Sequence, residues 1–455
     1  MRNKAWFSCG LAAALVAATT APGARAQGIY LTGGGAPHTA MGGVSTATPV
    51  DAIGALYWNP AAISRLGRSE VSIGGAFLFP EFDLSATAPA LLGGQSATTR
   101  SDSGTGIASS LGVIYQPDES NLTFGIGLST LGGGGVNFPG DPANPILSGI
   151  GALGNVQGPI YSSMTLLQLA PTVATKLGEK LAVGFGPTIA VAVASFDPAY
   201  FGGTNDANGD GVGTFPTASH MRPFWGGGFR AGAVYSLSER IDVGFGYTSP
   251  QWYETWRAYA RDEIGNPLTL NLPVTLPAIY SLGAAIRPND ELLVGADLRF
   301  FDYRTTKLFG TPIVDGGIGW ESVWSIAVGG QYRLSERLAV QSGYVYNNNP
   351  IPSVGTLFNI QAPAITQNTF SCGASYSLTD ALAMSLGYSY GFKNTLEGPV
   401  REATGAGVKI ETSVHALLFG VQVKYGCCAA RPACGEGTTL GAAVSPAPSA
   451  PSATH

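Results

Sequence analysis

Charge is scarce in this chain. Asp, Glu, Lys and Arg make up 12% of 455 residues, about half the share of an ordinary soluble domain. With 45% apolar residues, that leaves too little charge to cover a water-facing surface. Disorder is excluded too, because disordered chains are charged and poor in aromatics, and aromatics here reach 10%. No basic block is present, and 24 Lys and Arg against 29 Asp and Glu give a net charge of −5, so nucleic acid is not an expected partner. Past the N-terminus no unbroken apolar run reaches the roughly 18 residues that a membrane helix needs. Residues 142–175 carry no charge, but Pro145, Gly149, Gly151, Gly154 and Pro159 interrupt them.

Histidine is also rare: His38, His220, His415 and His455 complete the set. None stands in a Ser-His-Asp or metal-ligand spacing, so neither an enzyme nor a cofactor is expected. Of the five cysteines, Cys9 lies in the N-terminal leader and Cys372 stands alone in a strand-like segment. Cys427, Cys428 and Cys434 crowd the C-terminal tail, where Cys-Cys-x5-Cys is not a metal spacing, and a disulfide or an unpaired thiol is the plainer expectation.

What is present points to a membrane β-barrel. Residues 1–26 read as a signal peptide: Arg2 and Lys4, a short apolar stretch over 10–21, and Ala24-Arg25-Ala26 as the cleavage site. Beyond it the hydropathy alternates with period two. Leu382, Met384, Leu386, Tyr388, Tyr390 and Phe392 alternate with Ala383, Ser385, Gly387, Ser389 and Gly391. Ile241, Val243, Phe245 and Tyr247 alternate with Asp242, Gly244 and Gly246, and His415, Leu417, Phe419, Val421, Val423 and Tyr425 form one face of the last such segment. One large apolar face and one small or polar face suit a barrel wall between lipid and lumen.

Short polar turns, such as Leu237-Ser238-Glu239-Arg240 and Leu334-Ser335-Glu336-Arg337, alternate with long Gly-, Pro-, Asn- and Thr-rich connections. Outer-membrane barrels have this asymmetry, with short periplasmic turns and long external loops. The expected strands are 69–85, 105–116, 121–131, 163–176, 180–196, 222–237, 240–257, 267–287, 290–309, 320–335, 337–348, 366–378, 381–394 and 409–425. That makes an all-β, 14-stranded antiparallel transmembrane barrel over 69–425, the even number that a single-chain barrel needs. Residues 27–68, small, Gly-rich and apolar without alternation, are expected to fold inside as an N-terminal hatch, entered through Ile29, Tyr30 and Leu31. Residues 426–455 read as a flexible Ala-, Pro- and Ser-rich tail. Gly420, Val423 and Tyr425 close the last strand in a pattern similar to the signal that barrel assembly machinery recognises.

Several segments carry more specific information. Asn59-Pro60-Ala61 makes a rigid bend, because proline fixes its own φ and disfavours a helical residue before it, while asparagine bonds nearby backbone. Gly132-Gly133-Gly134-Gly135 should bend the third strand or break its pairing, or else form a plain flexible loop. Asp206-x-Asn208-x-Asp210-Gly211 matches the start of a calcium loop, but Thr217 occupies the twelfth position where a glutamate is needed, so a polar turn is the plainer reading.

Over residues 28–425 the sequence resembles the FadL/TodX outer-membrane transport proteins for fatty acids and hydrocarbons. The resemblance is carried by Asp51-Ala52 with Tyr57-Trp58-Asn59-Pro60-Ala61-Ala62, by Leu268-Thr269-Leu270-Asn271-Leu272-Pro273 entering the eighth strand, and by Asn347-Asn348-Asn349-Pro350-Ile351-Pro352 leaving the eleventh. It implies a hatch corner at Asn59, Pro60 and Ala61 and a lateral gate at Gly132–Gly135. The implied function is passive transport of a hydrophobic small molecule through the bacterial outer membrane by a monomer surrounded by outer-membrane lipids. A structural or adhesive barrel without transport is the alternative. Fatty-acid members hold the carboxylate with basic side chains, where this chain has Ser195–Tyr200 and Pro312–Gly316 with Asp197 and Asp315 instead. That leans toward neutral hydrocarbons, unless Arg222, Arg230, Arg304 or Lys307 substitutes.

Overall fold

The computed structural model describes residues 27–89, 94–148, 158–200, 203–211, 213–218, 223–400 and 405–425. The expected leader, the tail with its three cysteines, His220, Arg222 and His455 lie outside them.

Fourteen antiparallel strands close into one barrel. The first seven are β1 (Ser69–Thr87), β2 (Gly106–Tyr115), β3 (Leu122–Phe138), β4 (Ile160–Leu177), β5 (Leu181–Asp197), β6 (Phe224–Ser238) and β7 (Ile241–Thr248). The others are β8 (Ile279–Ile286), β9 (Leu292–Phe301), β10 (Val323–Arg333), β11 (Leu338–Asn347), β12 (Asn368–Ser377), β13 (Leu382–Pro399) and β14 (Gly407–Tyr425). The seam is a full ladder from Ser69↔Tyr425 to Thr87↔Gly407, which removes the free edges of the sheet. Three short strands, Ser96–Arg100, Gln251–Tyr253 and Thr275–Leu276, extend the wall at the end bearing the long connections.

The period-two pattern sorts as chemistry demands. Phe245, Leu282, Ile326, Leu386 and Leu417 point outward and are exposed, an apolar belt that a water-soluble protein rarely shows. Small residues face inward, and the N-terminal segment packs against them. Backbone of that segment comes so close that a Cβ at Gly184 would lie 2.5 Å from Ala61 N, and one at Gly329 would lie 2.0 Å from Met41 O. Similar contacts at Gly112, Gly244 and Gly343 place the segment against strands all round the barrel.

Within that segment lie α1 (Ala36–Ala40), α2 (Ala52–Tyr57) and a 3-10 turn over Pro60–Arg65. Asp51 caps α2 by accepting from Gly54 N at 2.7 Å, and burial pushes its carboxyl above the usual range. The segment is anchored to β1 where Glu70 accepts from Ala52 N at 2.8 Å.

The strand ends depart from expectation at the ninth strand, which stops at Phe301 rather than 309 and gives way to a 3-10 turn over Tyr303–Thr305, at the thirteenth, which runs on to Pro399 rather than 394, and in three further places. The third strand does not stop at residue 131; it runs on through the glycines to Phe138, because pairing uses peptide groups that glycine still supplies. The seventh leaves its ladder at Ser249-Pro250, where proline offers no N–H. Residues 267–272 do not enter the eighth strand. They pair with Trp256–Arg261, which pairs in turn with Thr217–Ala218, in a separate three-stranded sheet, and β8 begins at Ile279.

Candidate functional site

The glycine run and the start of the N-terminal segment meet. β2 and β3 pair only from Ser110↔Ser129 to Tyr115↔Phe124, whereas β3 and β4 stay paired as far as Phe138↔Ile160. A bulge between Thr130 and Gly132 sits where β3 leaves β2. The edge so exposed is taken up by the N-terminal segment: Tyr30 bridges Gly132, Leu31 N donates to Leu131 O at 2.8 Å, and Gly133 N donates to Ile29 O at 3.1 Å. The run is therefore paired with β4 along its length, and its start at Leu131–Gly133 also with Ile29–Leu31, rather than left as a free loop. Gly132 is required there, since a Cβ would lie 1.9 Å from Ile29 O.

Ile29–Leu31 and Gly132–Gly135 line one cavity of about 710 Å³. Met164, Trp256, Leu308, Phe309 and Ile318 supply much of its apolar wall, and Tyr200 and Gln361 add polar edges. Among the described lining residues Asp102 is the one charged side chain, and none is Lys or Arg. Behind the lining stands an aromatic cluster. Tyr30 packs 5.5 Å from Phe301, Trp256 stacks on Phe224 at 5.2 Å, and Tyr303 lies 5.1 Å from Trp320. Tyr303 fixes the tip of the segment: its hydroxyl accepts from Ile29 N at 3.2 Å and donates to Gln27 O at 3.4 Å.

Asn59, Pro60 and Ala61 do not line this cavity. Asn59 is fully buried and extended at φ −137°, as the following proline requires. Its Oδ1 accepts from Ala61 N at 3.0 Å, and its Nδ2 donates to Thr46 O at 2.7 Å and to Ala233 O of β6 at 3.0 Å. The bend is thus stapled to itself and to the wall.

Of the basic side chains named as stand-ins for a missing carboxylate partner, those among the described residues are committed or remote. Arg230 Nη1 donates to Leu56 O at 2.5 Å and Tyr57 O at 3.0 Å, closing the C-terminus of α2. Arg299 holds Asp297 and Gly43 O and lies 4.5 Å over the Trp58 ring, while Asp297 accepts from Ser45 N and Thr46 N. Arg304 and Lys307 are outside the cavity lining. Asp206, Asn208 and Asp210 sit on an exposed loop, where Gly211 N donates to Asp206 Oδ2 and Asn208 Nδ2 to Asp210 Oδ2. No group of three or more His, Cys, Asp or Glu among the described residues is placed to hold a metal ion.

Sequence reasoning missed Tyr303, Trp256 and Arg299 as site residues, and named Arg230 only as a stand-in partner for a carboxylate. The bond between Ile29 and Tyr303 spans 274 residues, so no local pattern could announce it.

The model of the family described as outer membrane protein transport protein (OMPP1/FadL/TodX) matches residues 14–426. Outer membrane protein P1 of Haemophilus influenzae (strain ATCC 51907 / DSM 11121 / KW20 / Rd) is 25% identical over 222 residues, 45% of this chain and 48% of that protein, so the match spans about half of the relative. The long-chain fatty acid transport protein of Escherichia coli (strain K12) is 21% identical over 412 residues, 82% of this chain and 89% of the relative. The crystal structure of the P. putida toluene transporter TodX superposes with a TM-score of 0.65 at 18% identity, covering 87% of this chain and 99% of that one. At that identity the last likeness concerns the fold.

Proposed function

The chain belongs to the outer membrane protein transport family (OMPP1/FadL/TodX), and from that premise we propose that it carries neutral hydrophobic small molecules passively across the outer membrane. The observation that carries this reading is the cavity bounded jointly by Ile29–Leu31 and Gly132–Gly135, apolar over much of its wall and without a lysine or arginine in its described lining. A carboxylate buried there would have no cation to compensate it, a cost of several kcal/mol by the usual order of magnitude.

In this reading residues 27–68 are a hatch and Asn59-Pro60-Ala61 is its fixed corner. Ile29, Tyr30 and Leu31 cover the opening where β2 and β3 separate, and Gly132–Gly135 form the sill of a lateral gate. When the tip lifts, a ligand passes from the cavity into lipid. That route avoids rehydrating apolar surface, which would cost about 25 cal/mol per Å². The protein works as a monomer among outer-membrane lipids, is inserted by barrel assembly machinery, and performs no chemistry on its cargo.

The test is uptake of a neutral aromatic compound into proteoliposomes. Uptake should exceed that of protein-free vesicles and fall when the tip is tethered to β3 by a bifunctional thiol cross-linker between cysteines at positions 31 and 134, since a Cβ at 134 meets nothing within 4 Å. Equal uptake by the cross-linked and free forms would remove the lateral gate; no uptake at all would return the structural or adhesive barrel.

A further inference from the structure

Away from the short-turn ends, the basic side chains of the outer wall gather on one flank, where the barrel closes. Of the lysines and arginines within the 14 wall strands, Arg230 and Arg299 are buried inside, and Lys176, Arg333 and Lys424 sit at short-turn ends. Only Lys393 of β13 and Lys409 of β14 stand toward the long connections, the external end of an outer-membrane barrel. Arg100 joins them, since its short strand pairs with β1 at Asp83. Carboxylates lie between them. Arg100 is 3.2 Å from Glu81 and 3.6 Å from Asp83, Lys393 is 3.7 Å from Asp83 and 3.5 Å from Glu411, and Lys409 is 3.2 Å from Glu411. The side chains of Arg100 and Lys393 are 61% and 53% exposed, so both present N–H donors outward. Exposed pairs of this kind add little stability, and bracing the seam is a poor account of them.

Rung by rung, the same flank changes character. Phe77, Leu417 and Tyr388 share one level of the ladder, Phe79, His415 and Tyr390 the next, Glu81 and Ser413 the next, and Asp83 and Glu411 the one beyond. The Tyr388 hydroxyl meets His415 Nδ1 at 2.6 Å, and Ser413 Oγ donates to Glu81 Oε2 at 3.3 Å. Apolar rings give way to hydroxyl and imidazole, then to charge, in the order in which acyl chains, sugar and phosphate follow one another in a membrane glycolipid. Polar groups that face lipid are costly and mark function. We propose that this flank seats the phosphorylated head group of an outer-leaflet glycolipid together with its divalent cation. Phosphate oxygens lie on Arg100, Lys393 and Lys409, whose N–H groups make charge-assisted bonds to them. The cation bridges a phosphate to Glu81, Asp83 or Glu411, which supply the hard oxygen ligands it prefers. The mixture of signs is what selects such a lipid, because a phosphate alone would meet the carboxylates and a cation alone the basic groups. Among the described residues no three His, Cys, Asp or Glu are grouped to hold a metal ion by themselves, so the lipid supplies the remaining ligands. Nothing in this seat depends on what the cavity carries.

The probe is diphosphoryl lipid A. The full-length protein in detergent is given lipid A, phosphatidylglycerol or phosphatidylethanolamine with magnesium, and the lipid retained after dilution is measured by native mass spectrometry. Lipid A should be retained, should raise the thermal transition, and should be released by EDTA. Arg100→Gln combined with Lys393→Gln should cut retention about tenfold or more, as expected for two charges lost near a membrane surface, and should abolish the thermal gain. Arg333→Gln combined with Arg337→Gln is the control, because both side chains are exposed at a short-turn end. Heat-modifiable migration, and a transition unchanged in the absence of lipid A, check that the variant barrel is intact. Equal retention of lipid A by the two variant pairs would overturn the proposal, as would retention of phosphatidylglycerol or phosphatidylethanolamine to the same extent. Retention that survives EDTA would remove the cation bridge.

Discussion

Replacing Gly132 with alanine should free the N-terminal tip from the wall while the barrel survives. The new Cβ would stand 1.9 Å from Ile29 O, so the carbonyl must retreat by at least about 1 Å to reach an ordinary contact. That motion breaks the 3.1 Å bond from Gly133 N to Ile29 O and pulls on the 2.8 Å bond from Leu31 N to Leu131 O. At about 1 kcal/mol each, losing both removes about 2 kcal/mol of docking free energy, or about 30-fold in the ratio of docked to undocked tip. Native-state hydrogen exchange reads this ratio directly. Protection of the Leu31 and Gly133 amides should fall by about that factor, while amides of the β1–β14 seam keep theirs. Gly134→Ala is the control, because a Cβ there meets nothing within 4 Å. If Gly132→Ala protects the tip as well as Gly134→Ala does, the pairing of Ile29–Leu31 with the glycine run is not what holds the tip down.

Three further outcomes are expected. Gly54→Ala should loosen the packing of residues 27–68, since its Cβ would lie 1.8 Å from the buried His38 ring; a lower thermal transition without loss of barrel migration checks this. Asn59→Ala removes the bonds to Thr46 O and Ala233 O and leaves Ala61 N unanswered, a loss of about 2–4 kcal/mol, and Asn59→Asp, which keeps the acceptor for Ala61 N but sets a buried carboxylate oxygen against Thr46 O and Ala233 O, should lose at least as much in the same melt. Truncation after Tyr425 should leave folding intact, because β14 is complete there and the Tyr425 hydroxyl already donates to Ile114 O at 2.9 Å; loss of heat-modifiable migration would show that the tail is needed.

The architecture was legible because lipid and lumen impose opposite demands on alternate residues. Fourteen alternating segments, joined by turns of two contrasting lengths, leave few folds open. The hairpin over residues 256–272 was misread for the same reason. Trp256, Ala258 and Ala260 turn inward and Arg257, Tyr259 and Arg261 outward, an alternation like that of a wall strand, and nothing local says that the sheet it joins is a separate one. The glycines of the inner face were visible as small residues, but not as the places where a second backbone lies against the wall. The site was legible only in halves. Ile29–Leu31 and Gly132–Gly135 could each be singled out, yet their mutual pairing, the lining of the cavity by Trp256 and the anchoring of Ile29 by Tyr303 depend on contacts across most of the chain.

The glycine-lined inner wall also fixes what the barrel would be without its contents. Where Gly184, Gly244, Gly329 and Gly343 now touch the N-terminal segment, a barrel lacking residues 27–68 would present bare peptide groups to an open bore. Water and ions would fill that bore in place of packed protein. Reconstituted in a planar bilayer, such a barrel should carry a steady ionic current, while the intact protein stays electrically silent. The thinness that lets residues 27–68 sit close thus predicts that removing them turns a sealed barrel into an electrical leak.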